Sequence, residues 1–286
     1  MSDGVLLVDK PSGPTSHDVV DVVRRGLGMR RVGHTGTLDP FASGLLVVLL
    51  GRATRLSPYL SALPKSYQGL IRLGVRTDTD DGTGAVLVSS DSWNGLSDAD
   101  IGTAMATLTG RRLQRPPVYS AKKTDGERAY RLARRGRPVQ LAPAEVEVTR
   151  FAFVDRVGSA VRFVADVGGG TYVRALARDL GEVLECGAHL ETLRRIGVGG
   201  FSVEGATALE AIAAGQAEPQ PPLEAVRHLP MLDIDQAERD AVVHGRPLPA
   251  GAVTASPVAL VAAGRLVAIA VVQHDRLKPR VVFPDA

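Results

Sequence analysis

The sequence predicts a chain that alternates helices with strands and ends in a small all-β module. Residues 45–50, LLVVLL, form an uncharged apolar run that is typical of a buried strand. Residues 173–184 carry an apolar residue every three or four positions, as one buried face of a helix requires. Near the C-terminus, short apolar strands joined by polar turns are expected at 258–261, 266–272 and 280–283.

A polar loop directly precedes the apolar run at 45–50. It reads GHTGTLDPFASG over residues 33–44, and its three glycines permit tight or left-handed backbone. Pro40 biases Asp39 away from helical backbone angles. A carboxylate held on such a rigid loop suits a nucleophile or a general base. The alternative is a turn in which Asp39 only accepts hydrogen bonds from its own backbone.

Two further elements are expected around this loop. A helix should span residues 16–25, with Thr15 or Ser16 as its N-cap. A strand should span residues 65–73, with every second residue from Tyr67 on one face.

One arginine has an unusual expected position. Arg174 falls in the first turn of the helix predicted to begin near Thr171, where a cation opposes the helix dipole. Such an arginine has a partner carboxylate, an anionic ligand, or water alone, and the sequence leaves these open. Residues 77–84 carry closely spaced aspartates, but their spacing does not match a calcium-binding EF-hand loop and indicates a polar turn.

Positive charge is concentrated in residues 111–137. This segment has ten basic residues against Asp125 and Glu127, whereas the whole chain of 286 residues has a net charge of only +3. The density of charge, with Tyr119 and Tyr130 interleaved, indicates a nucleic-acid contact. The alternative is a solvated helix face. The segment opens with Arg-Pro-Pro, which is not helical, and a short helix is expected over 127–135.

The composition excludes several kinds of chemistry. A single cysteine, Cys186, rules out an intrachain disulfide and a cysteine-based metal cluster. The six histidines lack metal-ligand spacing, and no phosphate-binding loop or dinucleotide fingerprint occurs. The apolar runs are shorter than the roughly 18–20 residues that cross a bilayer. We therefore expect a cytoplasmic protein with no metal, no cofactor and no membrane contact.

Six motifs occur together in one order. They are KPSGPTS at 10–16, GHTGTLDP at 33–40, KSY at 65–67, RPPVYSA at 115–121, GTYVR at 170–174, and GAHL at 187–190 with LRR at 193–195. With these motifs the chain resembles, over nearly its whole length, the tRNA pseudouridine synthases of the TruB type.

The resemblance implies isomerisation of the uridine at position 55 in the T loop of tRNA. The glycosidic bond breaks, the uracil turns within the site, and C5 becomes attached to the ribose. By the same resemblance, Asp39 is the catalytic carboxylate, Tyr67 stacks on the flipped base, Arg174 pairs with Asp39, Leu193 lines the base pocket, and His34 supports the flipped loop. Base flipping, aromatic stacking and an ionised aspartate beside an arginine are consistent with such chemistry.

The resemblance also implies an α+β fold. A mixed, mainly antiparallel sheet with surrounding helices is expected over residues 1–228, and a PUA-like RNA-binding β-barrel over 229–286, after a Pro-rich linker that begins at 218. The basic insertion at 111–137 would grip the backbone of the T arm. The contacts expected there are Lys122, Lys123, Arg128, Arg131, Arg134 and Arg135. The expected protein is a monomer that needs no guide RNA.

Two alternatives stay open on the sequence. A guide-RNA-dependent synthase has similar catalytic motifs, although it relies on protein-binding extensions that this sequence does not show. An RNA-folding protein would use the same cleft without turnover. The sequence also does not choose between attack of Asp39 on ribose C1′, attack on the uracil ring, and elimination.

Overall fold

Strands and helices of the chain fall into two units. The computed structural model describes residues 3–120, 123–124, 127–128, 135 and 141–284. The first unit comprises Met1–Asp39, Leu45–Ser61 and Gly199–Ala286, and the second unit comprises Pro40–Gly44 and Ala62–Val198.

Helices lie in both units. The α-helices are α1 (Ser16–Gly26), α2 (Ser57–Ser61), α3 (Asp98–Thr107), α4 (Val173–Val183), α5 (Leu209–Ala213) and α6 (Gln236–Val243). Shorter 3₁₀ turns span Gly51–Leu56, Ser92–Gly95, Val203–Gly205 and Pro222–Val226.

Most of the remaining regular structure is β. The strands are β1 (Gly4–Lys10), β2 (Val32–His34), β3 (Ser43–Leu50), β4 (Lys65–Leu73), β5 (Val75–Thr77), β6 (Val86–Ser89), β7 (Gly110–Gln114), β8 (Lys123–Thr124), β9 (Glu127–Arg128), β10 (Ala144–Val157), β11 (Ala160–Val167), β12 (Ala188–Val198), β13 (Phe201–Ser202), β14 (Thr207–Ala208), β15 (Met231–Asp233), β16 (Leu248–Pro249), β17 (Val258–Ala262), β18 (Arg265–Gln273) and β19 (Arg276–Val282).

The N-terminal part of the first unit packs α1 against strands. The strand order is β14-β1-β3, and β2 pairs antiparallel with β3. The valines of α1 join the apolar side chains of β1, β2 and β3 in one buried cluster, together with Ile212 of α5. Thr15 caps α1 in a capping box with Asp18, which satisfies backbone donors at the helix start. The helix and the buried strand predicted on either side of the polar loop are confirmed.

The C-terminal part of the first unit is a five-stranded sheet in the order β15-β17-β18-β19-β16. β15 and β17 run parallel, and the other pairs are antiparallel. α6 packs on β18, and apolar residues of both form a separate core. The small β module that the sequence predicts is confirmed, whereas the boundary at residue 229 stays a prediction.

The Pro-rich stretch at 218–222 is not a free linker. Gln220 exchanges two backbone hydrogen bonds with Val5 of β1, at 2.8 and 2.9 Å. Leu223 and Val226, in the 3₁₀ turn that follows, are buried. The interpretation as a linker is therefore wrong, because the prolines give way to apolar residues that join the core of the first unit.

The second unit is built on an antiparallel sheet. Its strand order is β12-β4-β11-β10-β7, and every neighbouring pair is antiparallel. α3 packs against β10 and α4 against β12. With the parallel pairs of the first unit, this is the mixed, mainly antiparallel α+β architecture that was expected.

The basic insertion differs from its prediction where it is described. Glu127–Arg128 form a strand paired with Lys123–Thr124, so the helix expected over 127–135 does not begin at residue 127. Lys122, Arg131 and Arg134 lie outside the described residues, and Arg135 is an exposed turn residue.

Candidate active site

The loop that carries Asp39 is tied to two elements of the first unit. His34 ends β2 opposite Val48, and the backbone N–H of Thr35 donates to Val47 at 3.1 Å. At the other end of the loop, the hydroxyl of Ser16 hydrogen-bonds the backbone of Leu38. Asp39 follows directly and is half-buried. The polar loop predicted between a helix and a buried strand is therefore present and is hydrogen-bonded at both ends, whereas its rigidity stays a prediction.

The segment that follows Asp39, residues 40–44, belongs to the second unit. Ser43 and Gly44, the first residues of β3, pair in parallel with Arg194 and Arg195 of β12. Gly44 has a φ of 100°, and a Cβ there would collide with the backbone oxygen of Arg195. Only glycine accepts both the left-handed backbone and the close approach. The segment that follows Asp39 is thus held by backbone pairing with β12.

Tyr67 and Leu193 lie on one face of the sheet in the second unit. Tyr67 of β4 is opposite Arg195 of β12, and Leu193 is opposite Gly69. Residues two apart on a strand share a face, so Tyr67 and Leu193 are diagonal neighbours. Both are buried to the same extent, with 8% of the surface exposed. The sequence prediction that every second residue of β4 from Tyr67 lies on one face is confirmed. The aromatic ring of Tyr67 and the aliphatic side chain of Leu193 lie next to each other on that face.

Arg174 is the second residue of α4 and is held on three sides. Its Nη1 lies 3.4 Å from Oδ2 of Asp81 and donates to the backbone oxygen of Thr79 at 3.0 Å. Its Nη2 donates to the backbone oxygen of Tyr119 at 2.9 Å. The sequence left open whether this arginine has a carboxylate partner. The structure supplies one in Asp81, while the predicted pairing with Asp39 stays a prediction.

The turn that carries Asp81 is itself fixed in place. Asp81 bridges to Leu190 of β12, and its Oδ1 accepts hydrogen bonds from Thr79 and Thr83. Its neighbour Asp80 lies 3.1 Å from Nη1 of Arg178, one helical turn after Arg174 on α4. Burial raises the pKa of Asp80, and the charges of Arg178 and Arg174 oppose that rise.

Sequence reasoning missed this pair of aspartates. Residues 77–84 were interpreted only as a polar turn, because their spacing excludes an EF-hand. The available signal was Arg174 itself. A cation in the first turn of a helix is stabilised by a nearby carboxylate, and the polar turn at 77–84 carries several carboxylates. A further contact was not foreseen in the basic insertion, where Arg112 donates to Asp179 of α4 at 3.1 Å.

Two cations are buried on the same sheet as Tyr67. Lys65, two residues before Tyr67 on β4, donates to the backbone oxygen of Leu63 at 2.7 Å. Arg195, opposite Tyr67, is almost fully buried. Burial, with the nearby charge of Arg195, lowers the pKa of Lys65 to about 8. Burial and a neighbouring cation both disfavour the charged form of Lys65, so its environment differs from that of an ordinary surface lysine.

The described ranges contain no helix that is long and apolar enough to cross a membrane. Nor do three or more His, Cys, Asp or Glu side chains in this described part of the chain gather in a geometry that holds a metal ion.

Solved structures share the architecture of both units. A Cbf5-Nop10-Gar1 complex contains a chain with a TM-score of 0.76 and 28% identity, covering 99% of this chain and 86% of that one. An H/ACA ribonucleoprotein bound to a substrate RNA containing 2′-deoxyuridine contains one with a TM-score of 0.75 and 26% identity, covering 98% and 84%.

Curated relatives are more similar in sequence. A tRNA pseudouridine synthase B of Mycobacteroides abscessus is 42% identical, over 99% of this chain and 97% of the relative. One of Thermobifida fusca is 45% identical over 99% of both. Residues 24–173 match the TruB family pseudouridylate synthase (N terminal domain), and residues 174–229 match the tRNA pseudouridylate synthase B C-terminal domain. The chain therefore belongs to the TruB family of pseudouridylate synthases.

Proposed function

We propose that this protein converts the uridine at position 55 in the T loop of tRNA to pseudouridine. The names of the curated relatives support tRNA as the substrate. One observation carries the proposal. Tyr67 and Leu193 lie on the same face of the sheet, and the segment that follows Asp39 pairs with β12, the strand that contains Leu193. A flipped base needs an apolar and aromatic pocket next to a reactive group.

Each residue of the site has a part in this proposal. Asp39 is the catalytic carboxylate, and Arg174 pairs with it to keep it ionised. Tyr67 stacks on the uracil, and Leu193 closes the other side of the base pocket. His34 supports the T loop with its base turned out. The buried ion pair with Asp81 fixes the position of the Arg174 side chain in the site.

The reaction balances without an external reagent. The bond between N1 and ribose C1′ breaks, the uracil rotates, and a bond forms between C5 and C1′. The hydrogen on C5 leaves to solvent, and N1 gains a proton. Asp39 drives the cleavage by attack on C1′, attack on the ring, or elimination, and the same release of the C5 hydrogen follows from all three.

Contacts outside the pocket extend the proposal to the rest of the chain. The basic insertion at 111–137 binds the backbone of the T arm, and residues 229–286 form a PUA-like RNA-binding domain beside a catalytic domain at 1–228. The protein acts as a monomer in the cytoplasm, where its substrate is found.

The structural neighbours favour one competing function. One of the solved chains with the same architecture belongs to an H/ACA ribonucleoprotein bound to a substrate RNA. A guide-RNA-dependent synthase is therefore the second candidate. The chain is 42% and 45% identical to two tRNA pseudouridine synthase B sequences, but only 26% and 28% identical to the chains of the two solved complexes described above. This difference favours recognition of tRNA without a guide RNA.

A tritium-release assay separates these functions. Purified protein is mixed with a full tRNA transcript labelled with tritium at uracil C5, with no guide RNA and no other protein. We expect one equivalent of tritium to be released per tRNA, with the modification mapped to position 55. A transcript that carries cytidine at position 55 should release no tritium. Release only after a guide RNA is added would overturn the proposal, and binding of tRNA without release would indicate an RNA-folding protein.

A further inference from the structure

The hydroxyl of Ser16 makes two hydrogen bonds to a single residue of the catalytic loop. Its Oγ accepts from the backbone N–H of Leu38 at 2.9 Å and donates to the backbone oxygen of Leu38 at 3.0 Å. Ser16 is 2% exposed and Leu38 is 3% exposed, so water does not compete for either bond. These bonds fix the peptide groups on both sides of Leu38, and the second of these peptide groups includes the nitrogen of Asp39.

Ser16 is available for this task because its neighbour caps the helix. Thr15 Oγ1 accepts from the backbone N–H of Asp18 at 3.1 Å, and Asp18 Oδ2 accepts from the backbone N–H of Thr15 at 2.8 Å. The hydroxyl of Ser16 is therefore not the cap of α1. It joins the start of a rigid helix to the loop, across 22 positions of sequence.

Few side chains can replace this one. A hydroxyl donates and accepts through the same atom, which is what bonding to both the N–H and the C=O of one residue requires. Alanine offers neither bond, and the thiol of cysteine is a weak donor and a weak acceptor. Only serine and threonine therefore match the pattern seen at Leu38.

We propose that Ser16 is a positioning residue, which holds the backbone at Leu38 so that the carboxylate of Asp39 meets the flipped uridine. This rests on the proposed function of Asp39. Reacting groups lose on the order of a hundredfold in rate when they are displaced by about 1 Å. Loss of the Ser16 hydroxyl should therefore lower kcat, and leave KM nearly unchanged because no interaction with RNA is removed.

The test compares Ser16→Ala with Thr15→Ala in the tritium-release assay, using the full chain and tRNA. Both variants remove hydrogen bonds at the start of α1, but Thr15→Ala leaves the bonds to Leu38 in place. We expect kcat of Ser16→Ala to fall by roughly 10- to 100-fold with KM within about threefold. Thr15→Ala should stay within about twofold of wild type, although its melting temperature falls. Ser16→Thr, which keeps the hydroxyl, should restore most of the rate.

A second measurement does not depend on activity. The backbone N–H of Leu38 should exchange with solvent faster in Ser16→Ala than in Thr15→Ala, because only the first variant loses its acceptor. If Ser16→Ala does not fold, Ser16→Cys, with nearly the same volume, serves in both measurements. Equal kcat and equal exchange in the Ser16 and Thr15 variants would overturn the proposal. Failure of the wild type to release tritium would instead overturn the proposed function and, with it, this role.

Discussion

Arg174 and Asp81 form a buried ion pair in the second unit, with 3.4 Å between Nη1 and Oδ2 and only 6% of each side chain exposed. Arg174 lies at the start of α4, where the helix dipole is unfavourable to a cation. Asp81 offsets that cost, and it does so from a turn fixed to β12.

Replacing Asp81 with asparagine should therefore be costly. The buried Arg174 loses the carboxylate of Asp81, and we expect the free energy of unfolding to fall by about 3 kcal/mol. This is at the low end for broken buried pairs, because two backbone carbonyls still accept from the arginine. Urea denaturation measures the change. Asp98→Asn is the control, since Asp98 pairs with Arg156 at 2.7 Å but is 60% exposed, and its loss should cost less than about 1 kcal/mol. Similar losses in the two variants would contradict a buried role for Asp81.

Asp39→Asn should abolish tritium release and leave tRNA affinity within roughly tenfold, or about 1.4 kcal/mol. Asparagine keeps the shape of the side chain but cannot act as an anionic nucleophile or base. Single-turnover release and filter binding are the measurements. Asp21→Asn, a change at a partly exposed position of α1, should leave both unchanged. A rate above a tenth of wild type in Asp39→Asn would rule out Asp39 as the catalytic group.

Neutralising the basic insertion should change the salt dependence of binding. We expect the joint replacement of Arg131, Arg134 and Arg135 by glutamine to weaken tRNA binding. The slope of log K against log[salt] should flatten by roughly 0.7–0.9 for each phosphate group that is no longer bound. Arg227→Gln is the control, because Arg227 is exposed and already paired with Glu224. An unchanged slope in the triple variant would identify the insertion as a solvated surface.

Lys65 should make stability depend on pH above neutrality. Its folded pKa of about 8 lies below the ordinary value of 10.5, so the native state releases this proton first as the pH rises. The unfolded state then binds more protons between about pH 8 and 10.5, and the free energy of unfolding contributed by Lys65 rises across that window. Below about pH 7 both states are protonated, and the contribution of Lys65 is constant.

Urea denaturation of the wild type and of Lys65→Met at about pH 7, 8.5 and 10 measures this effect. The difference between the two proteins should shift in favour of the wild type as the pH rises. A difference that stays constant over the three pH values would show that Lys65 titrates normally.

Whether the sequence predicts a feature of the site depends on how far apart along the chain the interacting residues lie. The alternation that puts Tyr67 on a buried face has a period of two residues, so it is visible in β4 alone. One partner of Arg174 is Asp81, which is far away along the chain, and no local sequence pattern joins the two residues. The hydroxyl of Ser16 was likewise predicted only as a possible helix cap, because its bonds to Leu38 depend on how the loop folds back on α1.

The linker prediction failed for a related physical reason. The prolines at 219, 221 and 222 interrupt regular helix and strand, and the last of them begins the 3₁₀ turn Pro222–Val226. Whether such backbone is free or packed depends on what lies beside it, and here β1 offers Val5 as a hydrogen-bonding partner for Gln220.

The pairing of Ser43 and Gly44 with Arg194 and Arg195 has a consequence for synthesis of the protein on the ribosome. Residue 43 leaves the ribosome long before residue 194, so the strand that receives the segment after Asp39 does not yet exist when that segment emerges. Contacts so distant in sequence form late and slowly. In a nascent chain, the segment after Asp39 therefore gains its strand partner only after β12 has been made, and we expect truncated products that end before residue 194 to lack this pairing.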